Sequence, residues 1–378
     1  MRRRVAAAGG ALLAAGLALE TLPVPFVWIG LGAAALLALV ALRAGAGGRR
    51  LLALYTAAGV LGLSGAEGWL AARGHERMEG YGPEAYFRDD PLLGYALWPD
   101  QQVRARRMVG GETVYDVVYT IDGRGLRVEP PVALGGGADC VLFFGGSFTF
   151  GEGVGDSETL PYRAGVRAGG RVRSLNFGLH GYGPHHMLAA LEAGVVEQAL
   201  DGCEPRLVVY QGVWFHAFRS AGRAIWDRRG PRYELDARGD AVRRGHFDDE
   251  AAMRLRRATR ERLMRSFGYR ALTEPRRRPS EAEKALFVAI VDRSRRLVET
   301  RWPDARFDVL FWDETWVPLE QPLEARGLRV HRVTRILPDW HDHRERYQVH
   351  AHDAHPNALA FDRLAAFVVT ELLEPVAP

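Results

Sequence analysis

The sequence has almost no lysine. Lys284 stands alone among 50 basic residues, the rest being arginine, and 46 acidic residues leave a formal net charge of +4. The arginines are interleaved with acids and form no aromatic-flanked basic stripe, so no nucleic-acid partner is expected. Cysteine is nearly as scarce. Cys140 and Cys203 are the whole complement, which excludes a disulfide-rich scaffold and a four-thiolate zinc site. Each precedes a short apolar run, 141–144 and 207–210. If these are neighbouring parallel strands, both thiols lie at one sheet edge. A bridge is then geometrically possible in an oxidising compartment; otherwise two half-buried thiols remain. Four histidines cluster late in the chain, at His341, His343, His350 and His352, without an accompanying carboxylate or thiolate set. No metal site is expected from them. No internal repeat is present.

Long apolar runs are abundant, but only before residue 73. They cover about 5–19, 25–42 and 51–72, the last two close to the ~20 residues that cross a bilayer. The first is short and rich in Ala and Gly. It reads as a first span, with a signal peptide starting at Arg2-Arg3-Arg4 as the alternative. Arg2, Arg3 and Arg4 precede it, Arg43, Arg49 and Arg50 lie between the second and third runs, and the loop between the first two has no basic residue. An excess of arginine marks the cytoplasmic side. Three crossings then place residues 73–378 outside the cytoplasm. Glu67, near the end of the third run, is expected at the outer interface rather than facing lipid. This divides the chain into a membrane anchor (1–72), an extracytoplasmic lead-in with short β segments (73–135) and a larger domain (136–378).

The larger domain alternates strand-like and helix-like stretches. Strands are expected at 140–144, 172–176, 207–210, 307–311 and 328–330. Helices are expected at 158–168, 187–199, 281–299, 318–326 and 358–373. That rhythm implies an α/β fold with a parallel sheet covered on both faces. In the lead-in, 114–121 is β-prone and Asp122-Gly123 a turn. Residues 220–280 are rich in Arg, Asp and Glu and read as an insertion or cap, with an amphipathic helix over 254–265.

The chemistry centres on Phe143-Phe144-Gly145-Gly146-Ser147-Phe148-Thr149-Phe150-Gly151-Glu152-Gly153-Val154. A buried strand ends in glycines and places one hydroxyl at its C-terminal edge, where open α/β sheets build their sites. A phosphate loop is excluded, because it needs Gly-Lys-Ser/Thr and no lysine is here. The spacing Gly151-Glu152-Gly153-Val154-Gly155 misses the dinucleotide fingerprint. Thr149 stands where an α/β-hydrolase elbow needs its last glycine. Far downstream, Asp353-Ala354-His355-Pro356-Asn357 supplies an acid and a base, and the pair with Ser147 suggests a split nucleophile and base. Pro356 disfavours helix at His355, and Asn357 is placed to cap the helix that follows.

These blocks resemble the SGNH/GDSL hydrolase superfamily, in a membrane-linked bacterial branch, over about residues 90–378. Gly145-Gly146-Ser147 resembles its first block, with Gly146 where Asp is usual. Leu175-Asn176-Phe177-Gly178-Leu179-His180-Gly181-Tyr182-Gly183 resembles the second, with Gly181 a better match than Gly178 to the glycine whose N–H faces an oxyanion. In the third, anchored on Gly212, Trp214 falls where an oxyanion-binding Asn is usual. His216, from the pattern Val-Tyr…His-x-x-Arg, is a candidate donor or pocket residue. Asp353 and His355 resemble the last block, with the spacing shortened by one residue.

The resemblance implies a flavodoxin-like three-layer sandwich around a parallel sheet, after the transmembrane helices. It implies Ser147 as nucleophile, His355 as base, Asp353 as its orienting acid, and an oxyanion hole of the Ser147 and Gly181 N–H groups. No metal or other cofactor is implied. The expected activity is ester cleavage through an acyl-serine on a bacterial inner membrane, facing the periplasm, with an acylated glycan or lipid as substrate. Two alternatives stay open: acyl transfer to a polysaccharide, and a catalytically weak envelope binding or assembly protein.

Overall fold

The computed structural model describes residues 25–43, 47–74, 78–79, 86–133, 135, 138–273, 278–314 and 316–373. The apolar run expected at 5–19 lies outside the described residues. The chain forms two compact units, one of residues 1–76 and 255–277, the other of 77–254 and 278–378.

In the first unit, α1 (Pro25–Arg43) and α2 (Gly48–Gly74) pack against each other. Gly30 lets them approach: a Cβ there would overlap the Ser64 hydroxyl. Large apolar side chains such as Leu52, Tyr55 and Leu63 point outward. Both helices are long and apolar enough to cross a membrane, with mean hydropathies of 2.1 and 1.2 over their apolar windows.

The second unit starts with short antiparallel pairs. β1 (Met78–Glu79) joins β4 (Gln101–Val109), which pairs with β5 (Glu112–Ile121). β2 (Phe87–Asp90) and β3 (Gly94–Leu97) form a separate hairpin. β6 (Asp139–Gly145) then enters the core and ends in the single helical turn α3 (Ser147–Phe150). α4 (Leu160–Arg167) leads to β7 (Val172–Asn176), α5 (Pro184–Glu192), α6 (Val195–Leu200) and β8 (Glu204–Val213). The helix expected over 187–199 breaks into α5 and α6 because Gly194 takes a left-handed φ of 73°.

After α7 (His216–Ser220), the stretch 220–280 read as an insertion or cap starts with the hairpin β9 (Pro231–Leu235) and β10 (Ala241–His246). α8 (Ala251–Met264) matches the expected amphipathic helix within a turn, and α9 (Phe267–Thr273) follows it. In the first unit, Glu67 of α2 accepts hydrogen bonds from the Phe267 N–H (2.5 Å), the Gly268 N–H (2.8 Å) and the Ser266 hydroxyl (3.0 Å). Three donors at the start of α9 offset the cost of burying this carboxylate.

The α/β alternation resumes with α10 (Glu281–Arg301), β11 (Arg306–Trp312), α11 (Glu320–Ala325) and β12 (Arg329–Arg332). After α12 (Val333–Ile336), a hairpin of β13 (Gln348–His350) and β14 (Asp353–Pro356) precedes the closing helix α13 (Ala358–Phe367). α10 starts in a capping box, where Ser280 Oγ accepts from the Glu283 N–H and the Glu283 carboxylate accepts from the Ser280 N–H.

The central sheet is fully parallel in the order β12-β11-β8-β6-β7. One apolar layer is formed by Leu142, Phe144, Val208 and Tyr210 with residues of α5 and α10. The alternate residues Val141, Phe143, Leu207 and Val209 form the other with α4 and α13. This is the period-two alternation of a sheet buried on both faces. The Cys140 and Cys203 side chains are joined as a disulfide, with Cα atoms 5.8 Å apart. Counted along the chain, the strand order is 2-1-3-4-5, so it reverses between β6 and β8. A crevice outside the carboxyl ends of strands opens at such a reversal.

Candidate active site

Ser147 stands at that switch point, just past the end of β6. It opens the one-turn helix α3, so its N–H has no intrahelical acceptor. His355 reaches it from β14. The Ser147 hydroxyl lies 2.9 Å from His355 Nε2, and His355 Nδ1 lies 2.5 Å from Asp353 Oδ1. The His355 N–H also donates to Asp353 Oδ1 at 2.9 Å. The shortened Asp-x-His spacing has a simple reason. Both residues are on one strand two positions apart, so their side chains share a face.

Asp353 is buried, and Arg107 of β4 donates to its other oxygen at 2.8 Å. Burial raises the Asp353 carboxyl pKa, but the hydrogen bonds and charge of His355 outweigh it and hold it below the usual range. Burial lowers the His355 pKa, but the Glu152 charge and the Asp353 carboxylate outweigh this and hold it above 6.5.

Glu152 is the residue that sequence reasoning passed over. It lies in the quoted glycine loop, where it drew no role. Gly151 and Gly153 both take positive φ, 84° and 85°, and turn the loop so that Glu152 faces inward. Its Oε2 is 3.3 Å from His355 Nε2 and 2.6 Å from His180 Nδ1. Arg127 clamps this loop. Its buried guanidinium donates to the carbonyls of Phe150 (2.9 Å), Gly151 (2.7 Å) and Val154 (2.8 Å) and to Asp156 (3.1 Å). Glycines flanking a carboxylate just after a candidate nucleophile were the available signal. Arg107, 246 positions from Asp353, left no local one.

Gly181 lines the same cavity as Ser147, Glu152 and His355. Its φ is +78°, and a Cβ there would lie 2.6 Å from the Tyr95 hydroxyl and against the Trp226 indole. Only glycine fits both constraints. The Trp214 ring packs against Phe215, Phe218 and Trp316, with centroids 4.5 to 5.6 Å apart, and is absent from the cavity lining. His216 is buried behind Gly146 and does not line the cavity either. Its Nδ1 is hydrogen-bonded to the Tyr210 hydroxyl at 2.7 Å. Burial first, and then the Arg219 cation, hold its pKa well below 6.5, so the ring is neutral.

The late histidines take other partners: His343 pairs with Glu345, His350 with Glu112, and His341 lies beside Arg344. Among the described residues, two groups bring metal-ligating atoms together. One is Glu152, Asp353 and His355; the other is His185, His186 and Asp227. In the first, the His355 ring nitrogens face Ser147 and Asp353. In the second, Asp227 accepts from His185 Nε2 at 2.9 Å. The cavity measures about 820 Å³. It is lined by a hydroxyl with its hydrogen-bonded imidazole, and by Gly181; a hydroxyl paired with an imidazole is an arrangement suited to nucleophilic attack on a carbonyl.

No protein-family model matches the chain, and no curated protein matches it. Among solved structures, the chain is similar to an acetyl xylan esterase (Est2A) from the rumen bacterium Butyrivibrio proteoclasticus. That likeness has 10% identity and a TM-score of 0.34, and covers 67% of this chain and 66% of the other.

Proposed function

We propose that the second unit is a serine ester hydrolase of the SGNH/GDSL type. The observation that carries this is the hydrogen-bonded run Ser147–His355–Asp353 at the floor of an open cavity. Ser147 Oγ attacks the ester carbonyl while His355 Nε2 takes its proton. Asp353 accepts from Nδ1–H, which fixes the tautomer and stabilises the imidazolium. The Ser147 and Gly181 N–H groups hold the oxyanion. Collapse of the tetrahedral intermediate breaks the C–O bond, and His355 returns the proton to the departing alcohol. Water, deprotonated by His355, then releases the acid and restores Ser147. Glu152 stabilises the charged imidazole at both proton transfers, and this chemistry calls on no metal or redox group.

The preceding apolar helices support a membrane anchor, and the arginine distribution supports an extracytoplasmic site. The disulfide supports an oxidising compartment on independent grounds. An acylated envelope glycan or lipid is then the substrate. The test is covalent labelling by a fluorophosphonate: wild-type protein is labelled, and Ser147→Ala abolishes it. Folded wild-type protein that resists the probe would leave the binding or assembly alternative. Release of acetate to water, compared with transfer to an added glycan, separates hydrolase from transferase.

A further inference from the structure

One cation lining the cavity, Arg219, has no ion-pair partner among the described residues. Arg219 lies on α7, three residues after His216, and lines the cavity with Ser147. Its Nη1 donates to the Tyr182 carbonyl at 2.6 Å. Its guanidinium carbon lies 4.8 Å from the Phe215 ring centroid and 5.7 Å from that of Trp226. Among the described residues, no carboxylate forms an ion pair with it. The two inner carboxylates of the site are committed, Glu152 to His180 and His355, and Asp353 to His355 and Arg107. The remaining lining carboxylate, Asp89, is on the exposed rim.

Glycine at position 146 makes room for this guanidinium. A Cβ there would lie 2.6 Å from Arg219 Nη1, so the cation sits beside the residue that precedes the nucleophile. Two more arginines line the cavity, Arg229 and Arg228, the latter also paired with Asp248 at 3.5 Å, with Trp226 half exposed next to them. Their loop is braced from beneath. Asp227, between Trp226 and Arg228, is fully buried against His185 and His186 of α5. Burying that one side chain turns its neighbours toward the cavity. Gly94 lets the loop pass, since a Cβ there would lie 2.8 Å from the Arg229 carbonyl carbon.

A partly buried guanidinium with free donors is matched by a planar carboxylate, which it can bind through two parallel hydrogen bonds. The flat Trp226 face beside it suits the C–H face of a sugar ring. A solvent-open cavity of about 820 Å³ has room for a few such rings, and the anion must lie close to the ester that Ser147 attacks. In an O-acylated uronic acid, both groups are on one ring.

We propose that this site takes esters borne on an acidic sugar, with the sugar carboxylate on Arg219, Arg228 and Arg229 at the mouth, and the ring against Trp226. This rests on the esterase function proposed above and names its substrate class. Binding tests it without chemistry. Full-length Ser147→Ala protein is titrated with an O-acetylated oligogalacturonide and with its carboxyl-reduced neutral form. The acidic form is expected to bind about tenfold or more tighter, with the difference shrinking as salt rises. Adding Arg219→Gln is expected to erase the preference while neutral binding persists, and Arg219→Lys to keep part of it. Equal affinity for both forms, an unchanged preference in Arg219→Gln, or tighter binding to anionic phospholipid vesicles overturns the proposal. Charge-selective binding by a protein whose wild type resists the fluorophosphonate would sink the esterase function and leave the acidic-sugar site standing.

Discussion

Glu152 and His355 set the pH behaviour of the site between them. In the proposed mechanism His355 must be neutral to take the Ser147 proton, and its pKa is held above 6.5 because two carboxylates outweigh the effect of burial. Activity therefore rises with pH through that raised pKa and is lost below it. Glu152→Gln removes one of the two negative charges, which lowers the His355 pKa. The acid limb of kcat/KM against a small neutral ester is expected to move to lower pH in this variant. An unmoved limb would remove Glu152 from this role. Asp353→Asn acts differently, because it allows the wrong tautomer. Its expected loss is about 10³- to 10⁴-fold in kcat at every pH, read from the same profile.

The residues that could be picked out beforehand are those with a local pattern. Ser147 follows a strand and a glycine pair, and His355 precedes Pro356 and a capping Asn. Glu152 needed the turn geometry of its two glycines, and Arg107 needed tertiary pairing across the chain. Arg219 had a trace, since His216 and Arg219 stand three apart and share a helix face. His216 drew the attention, but it turned inward to Tyr210 and left the cavity to the arginine.

Among the elements, the hairpin of β13 and β14 matters most, because it carries both the proposed base and its proposed orienting acid. Asn357 ties it to α13. The Asn357 side-chain oxygen accepts from the Ala360 N–H at 3.1 Å, and its Nδ2 donates to the carbonyls of Arg346 (2.9 Å) and Gln348 (3.0 Å). Loss of such a cap costs about 0.5–2 kcal/mol. Asn357→Ala is expected to lower the melting temperature and, by loosening the hairpin, to lower kcat more than it raises KM. Asn357→Asp keeps the cap but loses both donors. It should recover helix stability and not kcat, measured by thermal melts and steady-state kinetics.

The elements of the parallel sheet were legible because unbroken apolar runs bounded by turns have few other readings. Strands 172–176 and 306–312 lie within a residue of expectation. The insertion was harder to place. Its hairpin alternates weakly, and its helices α8 and α9 are rich in arginine, so hydrophobic period alone could not bound them.

At the scale of the molecule, one bond ties the two strands on either side of the switch point. The Cys140–Cys203 bridge closes 63 residues, which by chain entropy stabilises the fold by about 4 kcal/mol. Cys140→Ser, or reduction of the wild type, is expected to lower the unfolding free energy by roughly 2–5 kcal/mol in a denaturant titration. A wild-type midpoint unmoved by reductant would count against the bridge and against the oxidising compartment.

Arg107 carries a practical lesson about where this enzyme-like unit starts. It lies upstream of the parallel sheet, in a strand pair that reads from sequence as a mere approach to the domain, yet it pairs with Asp353, the carboxylate proposed to orient the base. Trimming the protein to 136–378 for crystallisation or engineering would keep every residue of the serine–histidine–aspartate relay and still discard one wall of the acid's socket. A shortened chain that folds and fails would then be misread as a naturally inert relative.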